Sequence, residues 1–253
     1  TSISILYTPK SGNLLTYLDQ SSDQSSKEWD NMKKMRKLLA LILICAIVIA
    51  SVSLIYSRTK KEKIEELSEQ AKAFAEKGDY ERAIESYKKA LEIDPDNADI
   101  LFNIGLNYYA LGEFWKAIEN YDKVLQIDPN RADAWVEKGG LYLYMGSYEK
   151  ALECYDKALG IDSKSVDALI GKGLVYSWMG NYEKGIECYD KALGIDPNNV
   201  NLWYRKGFIY YTIGQYEKGI ECYDKALGID PNNIDAWIAK GSTYALMKEY
   251  EKG

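Results

Sequence analysis

Apolar and small residues recur at a constant interval of 34 positions along residues 64–253. Within each interval, apolar positions 4, 7 or 8, and 11 form one stripe at helical spacing, and positions 17, 20, 24, 27 and 28 form another. Each interval is therefore expected to form two amphipathic helices of about twelve residues. The units are residues 64–97, 98–131, 132–165, 166–199, 200–233 and 234–253, and the last unit is incomplete.

Turn-forming residues separate the predicted helices. Glycine stands at position 15 of the first five units, for example Gly112 and Gly214, where a left-handed C-cap favours a residue without Cβ. Aspartate and proline usually stand at positions 31 and 32, for example Asp128 and Pro129. We expect this pair to supply an N-cap oxygen and a first-turn proline to the next helix.

Small and aromatic positions explain why the unit is repeated. Glycine or alanine at position 8 lets two helices approach closely, and the rings at positions 11, 17 and 24 fill the space around them. One helix pair alone cannot bury its apolar stripe, whereas a stack of pairs can. The sequence therefore predicts an all-α stack in which each unit completes the core of its neighbour.

This pattern resembles the tetratricopeptide repeat, whose small, aromatic and proline positions it matches over residues 64–253. The resemblance implies a right-handed α-solenoid of antiparallel helix pairs. It also implies that the first helix of each pair lines a concave groove that binds a peptide or a partner helix. We therefore expect a binding scaffold and not an enzyme, with no catalytic residue and no cofactor.

The resemblance also indicates which residues face the groove, because positions 2, 5, 6, 9, 12 and 13 of the first helix commonly do so in that family. Acidic residues cluster toward one edge at Asp99, Asp133, Glu137, Asp167 and Asp235, and the Lys, Asn and Arg set with which some members hold a C-terminal carboxylate is missing. We expect a protein or peptide partner that is apolar with basic flanks. Alternatively, individual side chains pack between neighbouring first helices. The predicted partner-binding residues are Phe102, Leu106, Tyr109, Val136, Leu143, Tyr144, Ile170, Leu174, Trp178, Tyr204, Arg205, Phe208 and Tyr211, with Ile238 at the end of the row.

Residues 38–56 form a run of nineteen residues without a charge. At about 1.5 Å of rise per residue, a helix of this length spans roughly 28 Å, close to the hydrocarbon thickness of a bilayer. The run therefore predicts a single transmembrane helix in contact with the lipid bilayer. Residues 1–37 are expected to be a flexible tail, polar and then basic, and residues 57–63 a basic juxtamembrane linker.

Membrane orientation is ambiguous because basic residues flank the apolar run on both sides. Read from Met32, the chain has the charged start and apolar middle of a signal anchor, which favours an extracytoplasmic repeat domain and makes residues 1–31 an upstream extension. The basic residues between Arg58 and Lys63 oppose translocation, so a cytoplasmic repeat domain remains an alternative. Small residues near Ser53 leave signal cleavage and a secreted repeat protein as a third alternative.

Charge and composition exclude several other functions. Residues 1–63 hold 10 Lys and Arg against 5 Asp and Glu, a net charge of +5, and the remaining residues hold 22 against 33, a net charge of −11. An acidic repeat region without a basic stripe argues against a nucleic acid partner. The sequence contains 0 His, which disfavours hydrolytic triads and most zinc sites.

Three cysteines share position 23 in successive units, at Cys154, Cys188 and Cys222. Their spacing of one unit is too long for an unstrained disulfide, so we expect them to be small packing residues. The sequence ends within the second predicted helix of the sixth unit, which indicates a fragment. The repeats could therefore also be the targeting arm of a larger enzyme whose catalytic domain lies beyond residue 253.

Overall fold

A computed structural model of the chain describes the backbone of residues 12–250, and the side chains of Trp29 and of residues 31–248. All regular structure between residues 12 and 250 is helical. The chain divides into two units, Thr1–Lys63 and Ile64–Gly253. The helices are α1 Gly12–Glu76, α2 Tyr80–Leu91, α3 Ala98–Ala110, α4 Phe114–Ile127, α5 Ala132–Tyr144, α6 Tyr148–Ile161, α7 Val166–Trp178, α8 Tyr182–Ile195, α9 Val200–Thr212, α10 Tyr216–Ile229 and α11 Ile234–Tyr250.

Helix α1 corrects part of the sequence analysis. It begins at Gly12, so residues 12–37 are helical, although we predicted a flexible tail, and residues 57–63 are helical as well. No proline or glycine occurs between residues 13 and 76 to interrupt the backbone hydrogen bonds. Residues 1–11 of the predicted tail lie outside the described residues.

The predicted glycine caps are present after the first helix of each of the five complete units. Gly78, Gly112, Gly146, Gly180 and Gly214 all have φ between 71° and 77°. After α3, the amide of Gly112 donates to the carbonyl oxygen of Tyr109 and the amide of Glu113 donates to that of Tyr108, at 2.9 Å each. This pair of hydrogen bonds is a Schellman motif, which ends the helix and turns the chain toward the next one.

The predicted role of the Asp-Pro pair is wrong. Asp128 is the C-cap of α4 and Pro129 lies in the connecting turn, so neither belongs to the next helix. The N-cap oxygen comes from position 34 instead: Asn97 Oδ1 accepts the amide of Ile100 at 3.1 Å, and Asn199 Oδ1 accepts that of Leu202 at 3.2 Å. An N-cap must directly precede its helix, and position 31 is too early in the chain.

Close packing at position 8 holds each helix pair together. A Cβ added to Gly105 would lie 2.5 Å from Cε1 of Tyr121, and one added to Gly207 would lie 2.7 Å from Cε1 of Tyr223. The rings of Tyr87, Tyr121, Tyr189 and Tyr223 at position 24 are at most 2% exposed. The ring therefore occupies the space that a larger residue at position 8 would need.

Helix pairs pack in chain order. The first helix of a pair contacts the second in α3–α4, α5–α6, α7–α8 and α9–α10, and each second helix contacts the first helix of the next unit. First helices also contact one another directly, as α5 and α7 do. The resulting stack is an all-α solenoid, as the sequence predicts.

Cysteine placement agrees with the sequence analysis, because Cys154, Cys188 and Cys222 are free and buried. Burial raises the pKa of Cys154 and of Cys222 to about 11 each. Thiols with such pKa values are protonated at neutral pH and poor nucleophiles.

Candidate functional site

The first-helix surface consists of the side chains at positions 2, 5, 6, 9, 12 and 13 of α3, α5, α7, α9 and α11. Four of its predicted aromatic residues are strongly exposed: Tyr109 by 50%, Tyr144 by 68%, Trp178 by 58% and Phe208 by 52%. One large exposed ring on each of four successive first helices is more than scattered surface residues explain. Rows of this kind commonly serve as anchors for a partner.

Most of the other predicted groove residues are half-buried between neighbouring helices. Leu143 is the exception, because it is only 7% exposed and packs with Ala151, Tyr155 and Val175. Leu143 therefore follows the alternative interpretation, in which a side chain packs between neighbouring first helices, since α5 packs against α7 at this point. The half-buried residues are Phe102, Leu106, Val136, Ile170, Leu174, Tyr204, Arg205 and Tyr211.

A pocket of about 400 Å³ opens between α7 and α9, and we call it the Trp178 pocket. Its lining combines predicted groove residues with Tyr182 and Tyr189 from α8. The buried Nε of Arg205 has no hydrogen-bond partner among the described atoms. Burial raises the pKa of Tyr189, although hydrogen bonds with Ser177 and Arg205 oppose the rise. The pocket is lined by Leu174, Ser177, Trp178, Tyr182, Tyr189, Tyr204, Arg205, Phe208, Ile209 and Thr212.

A second pocket of about 200 Å³ lies between α9 and α11, and we call it the Asp235 pocket. It shares Tyr204 and Phe208 with the Trp178 pocket. The side chain of Tyr223 is 0% exposed, and its hydroxyl has no partner among the described atoms. The lining residues are Tyr204, Phe208, Tyr211, Tyr223, Asp235, Ile238, Ala239 and Ser242.

A third pocket of about 270 Å³ lies near the start of the solenoid, between the C-terminal turns of α1 and helix α3. It contains the predicted residue Leu106 together with Lys72 and Asn103. Tyr80 and Tyr87 of α2 complete its lining, as their equivalents do in the Trp178 pocket. The first-helix surface thus has recesses at both ends of the stack.

Carboxylates gather along the edge of this surface in α3, α5 and α7. Arg131 bridges two of them, with Nη1 donating to Asp99 at 2.6 Å and Nε donating to Asp133 at 3.0 Å. Burial raises the pKa of Glu137, and the charges of Asp133 and Asp167 raise it further. This mutual influence shows that the three carboxylates share a region of negative potential.

Sequence reasoning missed the contribution of the second helices. Tyr182, Tyr189 and Tyr223 were assigned to packing alone, yet each lines a pocket. A signal was present, because position 24 is tyrosine in all five complete units. A buried tyrosine hydroxyl usually requires a polar partner, so a core position alone would be satisfied by phenylalanine.

Polar side chains on the first-helix surface can donate or accept hydrogen bonds. Among the described residues, no group of three or more His, Cys, Asp or Glu side chains is arranged to hold a metal ion. The polar groups in the Trp178 and Asp235 pockets are hydroxyls, one carboxylate and one guanidinium, which donate or accept hydrogen bonds.

Comparison with known proteins identifies the repeat. The family model for the tetratricopeptide repeat matches residues 98–131, 132–165, 166–199 and 200–233, and a second model, described as TPR repeat, matches residues 71–112. A stretch of 41 residues is 51% identical to BBSome complex member BBS4 from Bos taurus. That stretch covers 16% of this chain and only 8% of the relative.

Solved structures share the fold. A crystal structure of MamA matches with a TM-score of 0.58 and 29% identity, covering 64% of this chain and 94% of MamA. YrrB, described as a TPR protein with an unusual peptide-binding site, matches with a TM-score of 0.57 and 23% identity, covering 72% of this chain and 97% of YrrB. The helix pairs, their caps and the matched units together show that this chain belongs to the tetratricopeptide repeat family.

Proposed function

We propose that this protein is a membrane-anchored scaffold whose first-helix surface binds a peptide or helix of a partner protein. Tetratricopeptide repeat proteins typically act as non-catalytic interaction scaffolds. The observation that carries the proposal is the row of exposed rings on α3, α5, α7 and α9, which leads into the Trp178 and Asp235 pockets. YrrB, a relative in fold, is described as having a peptide-binding site.

The chemistry of the surface indicates what the partner presents. Aromatic rings and aliphatic side chains make up most of the two pockets, which suits apolar anchor residues. The carboxylates of Asp99, Asp133, Glu137 and Asp167 at the edge suit basic residues beside those anchors. The proposed partner is therefore an apolar segment with basic flanks.

The proposed anchor is the apolar stretch of residues 38–56. The helix over Asn31–Glu76 is long and apolar enough to cross a membrane, as judged by its length and composition. Its apolar side chains are exposed, for example Leu43 and Ile49. Such a surface requires lipid or another apolar partner to cover it. With Met32 near a signal-anchor start, we propose that the repeat domain is extracytoplasmic.

The groove is tested with the full chain in lipid nanodiscs and a library of random displayed peptides. Selected peptides are expected to lose at least about tenfold in affinity for Trp178→Ser, because truncating a hot-spot anchor of an interface costs about 2 kcal/mol or more. Trp115→Ser is the matched control, since Trp115 is also strongly exposed but lies on the second helix α4. Equal binding to both variants would refute the assignment of the groove.

The anchor is tested by washing membranes that contain the full chain with alkaline carbonate. An integral protein stays in the membrane fraction, and Ile44→Arg with Val48→Arg is expected to release it, because each charge at the bilayer centre costs about 2.5–3.5 kcal/mol. Release of the unchanged chain by carbonate would exclude the anchor. Protease digestion of sealed spheroplasts then tests orientation, since only an extracytoplasmic repeat domain is cleaved from outside.

A further inference from the structure

We propose that the Asp235 pocket binds an alkylammonium group, such as the side chain of a lysine in the bound peptide. This inference rests on the proposed function and extends it to one subsite and one kind of residue. Four aromatic rings, one carboxylate and one unpartnered hydroxyl meet in this pocket of about 200 Å³. Their combination distinguishes it from the other recesses of the first-helix surface.

The rings are arranged in neighbouring pairs. The ring centroids of Tyr204 and Tyr223 lie 6.0 Å apart, and those of Phe208 and Tyr211 lie 6.2 Å apart. A cation within about 6 Å of an aromatic face gains roughly 0.5–2 kcal/mol, and cages of several rings are a common way to hold an ammonium group. The rings of Tyr204, Phe208 and Tyr211, which are partly or strongly exposed, therefore offer a favourable environment for a cation, whereas the ring of Tyr223 is 0% exposed.

Several other rings of this chain lie beneath the protein's own cations. Lys206 Nζ lies 5.6 Å from the ring centroid of Trp203, and Lys218 Nζ lies 5.5 Å from that of Tyr210. The same arrangement recurs in other units, for example at Tyr142 and Tyr176. In contrast, the residues that line the Asp235 pocket include neither lysine nor arginine. Its rings are left for a cation from outside.

Polar groups in the pocket complement an ammonium group. Asp235 supplies a carboxylate among the lining residues. The hydroxyl of Tyr223 is buried without a partner among the described atoms, and burial raises its pKa, so it adds no charge to the pocket. An ammonium group in the pocket can donate to the carboxylate of Asp235, which supplies both an acceptor and an opposite charge.

The neighbouring Trp178 pocket has the opposite character. It shares the rings of Tyr204 and Phe208 with the Asp235 pocket, but it contains the guanidinium of Arg205 in place of a carboxylate. A like charge disfavours a bound cation there. The two pockets therefore select different groups of one peptide, a cationic group beside Asp235 and an apolar or anionic group beside Arg205.

Asp235 also has a simpler role that the experiment must separate. It lies in the first turn of α11, where an acidic residue stabilises the helix N-terminus, and Asp167 has the same position in α7. Asp167 does not line the Asp235 pocket. The variant Asp167→Asn is therefore a matched control that removes the same helix contribution and leaves the pocket unchanged.

The test uses the full chain in nanodiscs and two small probes, N-acetyl-lysine-N-methylamide and its uncharged analogue N-acetyl-norleucine-N-methylamide, with binding measured by NMR titration. The lysine probe is expected to bind about tenfold more tightly than the norleucine probe. Asp235→Asn is expected to weaken the lysine probe by about three- to fivefold and to leave the norleucine probe unchanged. Asp167→Asn removes a carboxylate of the groove edge but none of the pocket, so it is expected to leave both affinities unchanged at the Asp235 pocket, as measured from the NMR signals of the lining residues Ile238 and Ser242.

A second pair of variants tests the rings. Tyr211→Leu keeps an apolar side chain but removes a ring, and it is expected to reduce lysine-probe binding about fivefold. Tyr109→Leu, at the same position of α3, is the control: Tyr109 belongs to the proposed groove but not to the Asp235 pocket, so lysine-probe binding at that pocket should be unchanged. Equal affinity for both probes, or equal effects of Asp235→Asn and Asp167→Asn, would overturn the subsite. Thermal unfolding followed by circular dichroism verifies that each variant is folded.

Failure of the subsite and failure of the proposed function give different results. If selected peptides require Trp178 but the lysine probe shows no preference over norleucine, the groove is retained and the ammonium subsite is rejected. If the lysine probe binds as expected while no peptide depends on Trp178, the subsite stands as a cation site and peptide binding is rejected.

Discussion

Helix α9 presents aromatic residues on two sides, and the two sides differ in whether their polar groups and rings already have partners within the protein. One side of α9, which we call the ladder side, carries Trp203, Lys206 and Tyr210. Trp203 Nε1 donates to the carbonyl oxygen of Pro197 at 2.9 Å, and Lys206 lies over the rings of Trp203 and Tyr210. On the groove side, the ring of Phe208 is 52% exposed and Arg205 has an unpartnered Nε. Aromatic and cationic residues therefore have partners within the protein on the ladder side, whereas Phe208 and the Nε of Arg205 on the groove side have contacts left to make.

The ladder side shows what structural aromatic residues look like in this chain. An ion pair joins position 7 of one unit to position 25 of the preceding unit, in Lys138–Asp122, Lys172–Asp156, Lys206–Asp190 and Lys240–Asp224. Each lysine also lies over one or two rings. Ladder residues therefore link neighbouring units, whereas the exposed ring of Phe208 and the Nε of Arg205 have unused contacts, which favours the proposed role in binding.

Substitution of Gly207 should have the largest effect on stability, because this residue lies where α9 packs closely against α10. Gly207→Ala would place Cβ 2.7 Å from Cε1 of the buried Tyr223, and we expect a loss of about 3 kcal/mol. Thermal unfolding measured by circular dichroism checks the loss. Gly228→Ala is the control, since no atom lies within 4 Å of its new Cβ, and it should stabilise α10 by about 0.5–1 kcal/mol.

Removal of one ladder charge should have an intermediate effect. Lys206→Met keeps an apolar stem but loses the pair with Asp190 and the contacts with two rings, and we expect a loss of about 1.5 kcal/mol. Lys225→Met, at an exposed position of α10, should change stability by less than about 0.5 kcal/mol. Equal effects in thermal unfolding would show that the ladder does not stabilise the stack.

The contribution of the charged Lys206 to the stability of the ladder side should be lost in the alkaline range. Although burial alone would lower it, the hydrogen bond and charge of Asp190 raise the pKa of Lys206 above its usual value of 10.5. The folded state therefore binds this proton more tightly than the unfolded state. The difference between wild type and Lys206→Met should be complete at pH 7 and should decrease as the pH rises above 10.5. Unfolding curves at pH 7, 9 and 11 measure it.

Neutralisation of Glu137 at the groove edge should have the smallest effect on stability. This substitution should stabilise the protein, whereas the substitutions of Gly207 and Lys206 destabilise it. Burial and the charges of Asp133 and Asp167 raise the pKa of Glu137 above its usual 4.5, so ionisation of this carboxyl destabilises the fold. Glu137→Gln should therefore stabilise the protein at pH 7 by about 0.5 kcal/mol after solvent screening. The gain should disappear as the pH falls toward 4.5, because Glu137 then becomes protonated.

The control for this variant is Glu69→Gln, at the same position of the first unit, where the residue is exposed. It should leave the unfolding temperature unchanged at both pH values. A destabilising effect of Glu137→Gln at pH 7 would show that this carboxylate makes a structural ion pair, and the groove edge would then resemble the ladder side.

The fold could be predicted from the sequence because residues that contact each other recur at the same positions of every 34-residue unit. Gly105 and Tyr121, for example, are small and large at positions that face each other, and the structure places them in contact. The caps were predicted only in part. The glycine cap at position 15 follows from backbone requirements alone. The cap oxygen of Asn97 could not be predicted in this way, because it depends on the residue at which the helix begins. Asp94, which we expected to be the cap, instead accepts a hydrogen bond from Asn97 Nδ2 at 2.9 Å.

The candidate site was less predictable because its openness depends on pairs of helices. Leu143 and Tyr211 share position 12, yet Leu143 is covered by α7 and Tyr211 lines a pocket beside α11. The difference depends on the residues of the next unit, which periodicity does not describe. The ladder lysines were missed for the same reason, since Lys206 and Asp190 are 16 residues apart and meet only across two units.

The most direct test of the binding role places a photo-crosslinking amino acid at residue 178 or at residue 115 of the full chain in native membranes. Trp178 and Trp115 are similarly exposed, by 58% and 68%, but only Trp178 belongs to the first-helix surface. The proposed function predicts a discrete crosslinked product at residue 178, reduced by a selected groove peptide, and none at residue 115. Equal crosslinking at both positions, or a product at residue 178 that the peptide does not reduce, would contradict it.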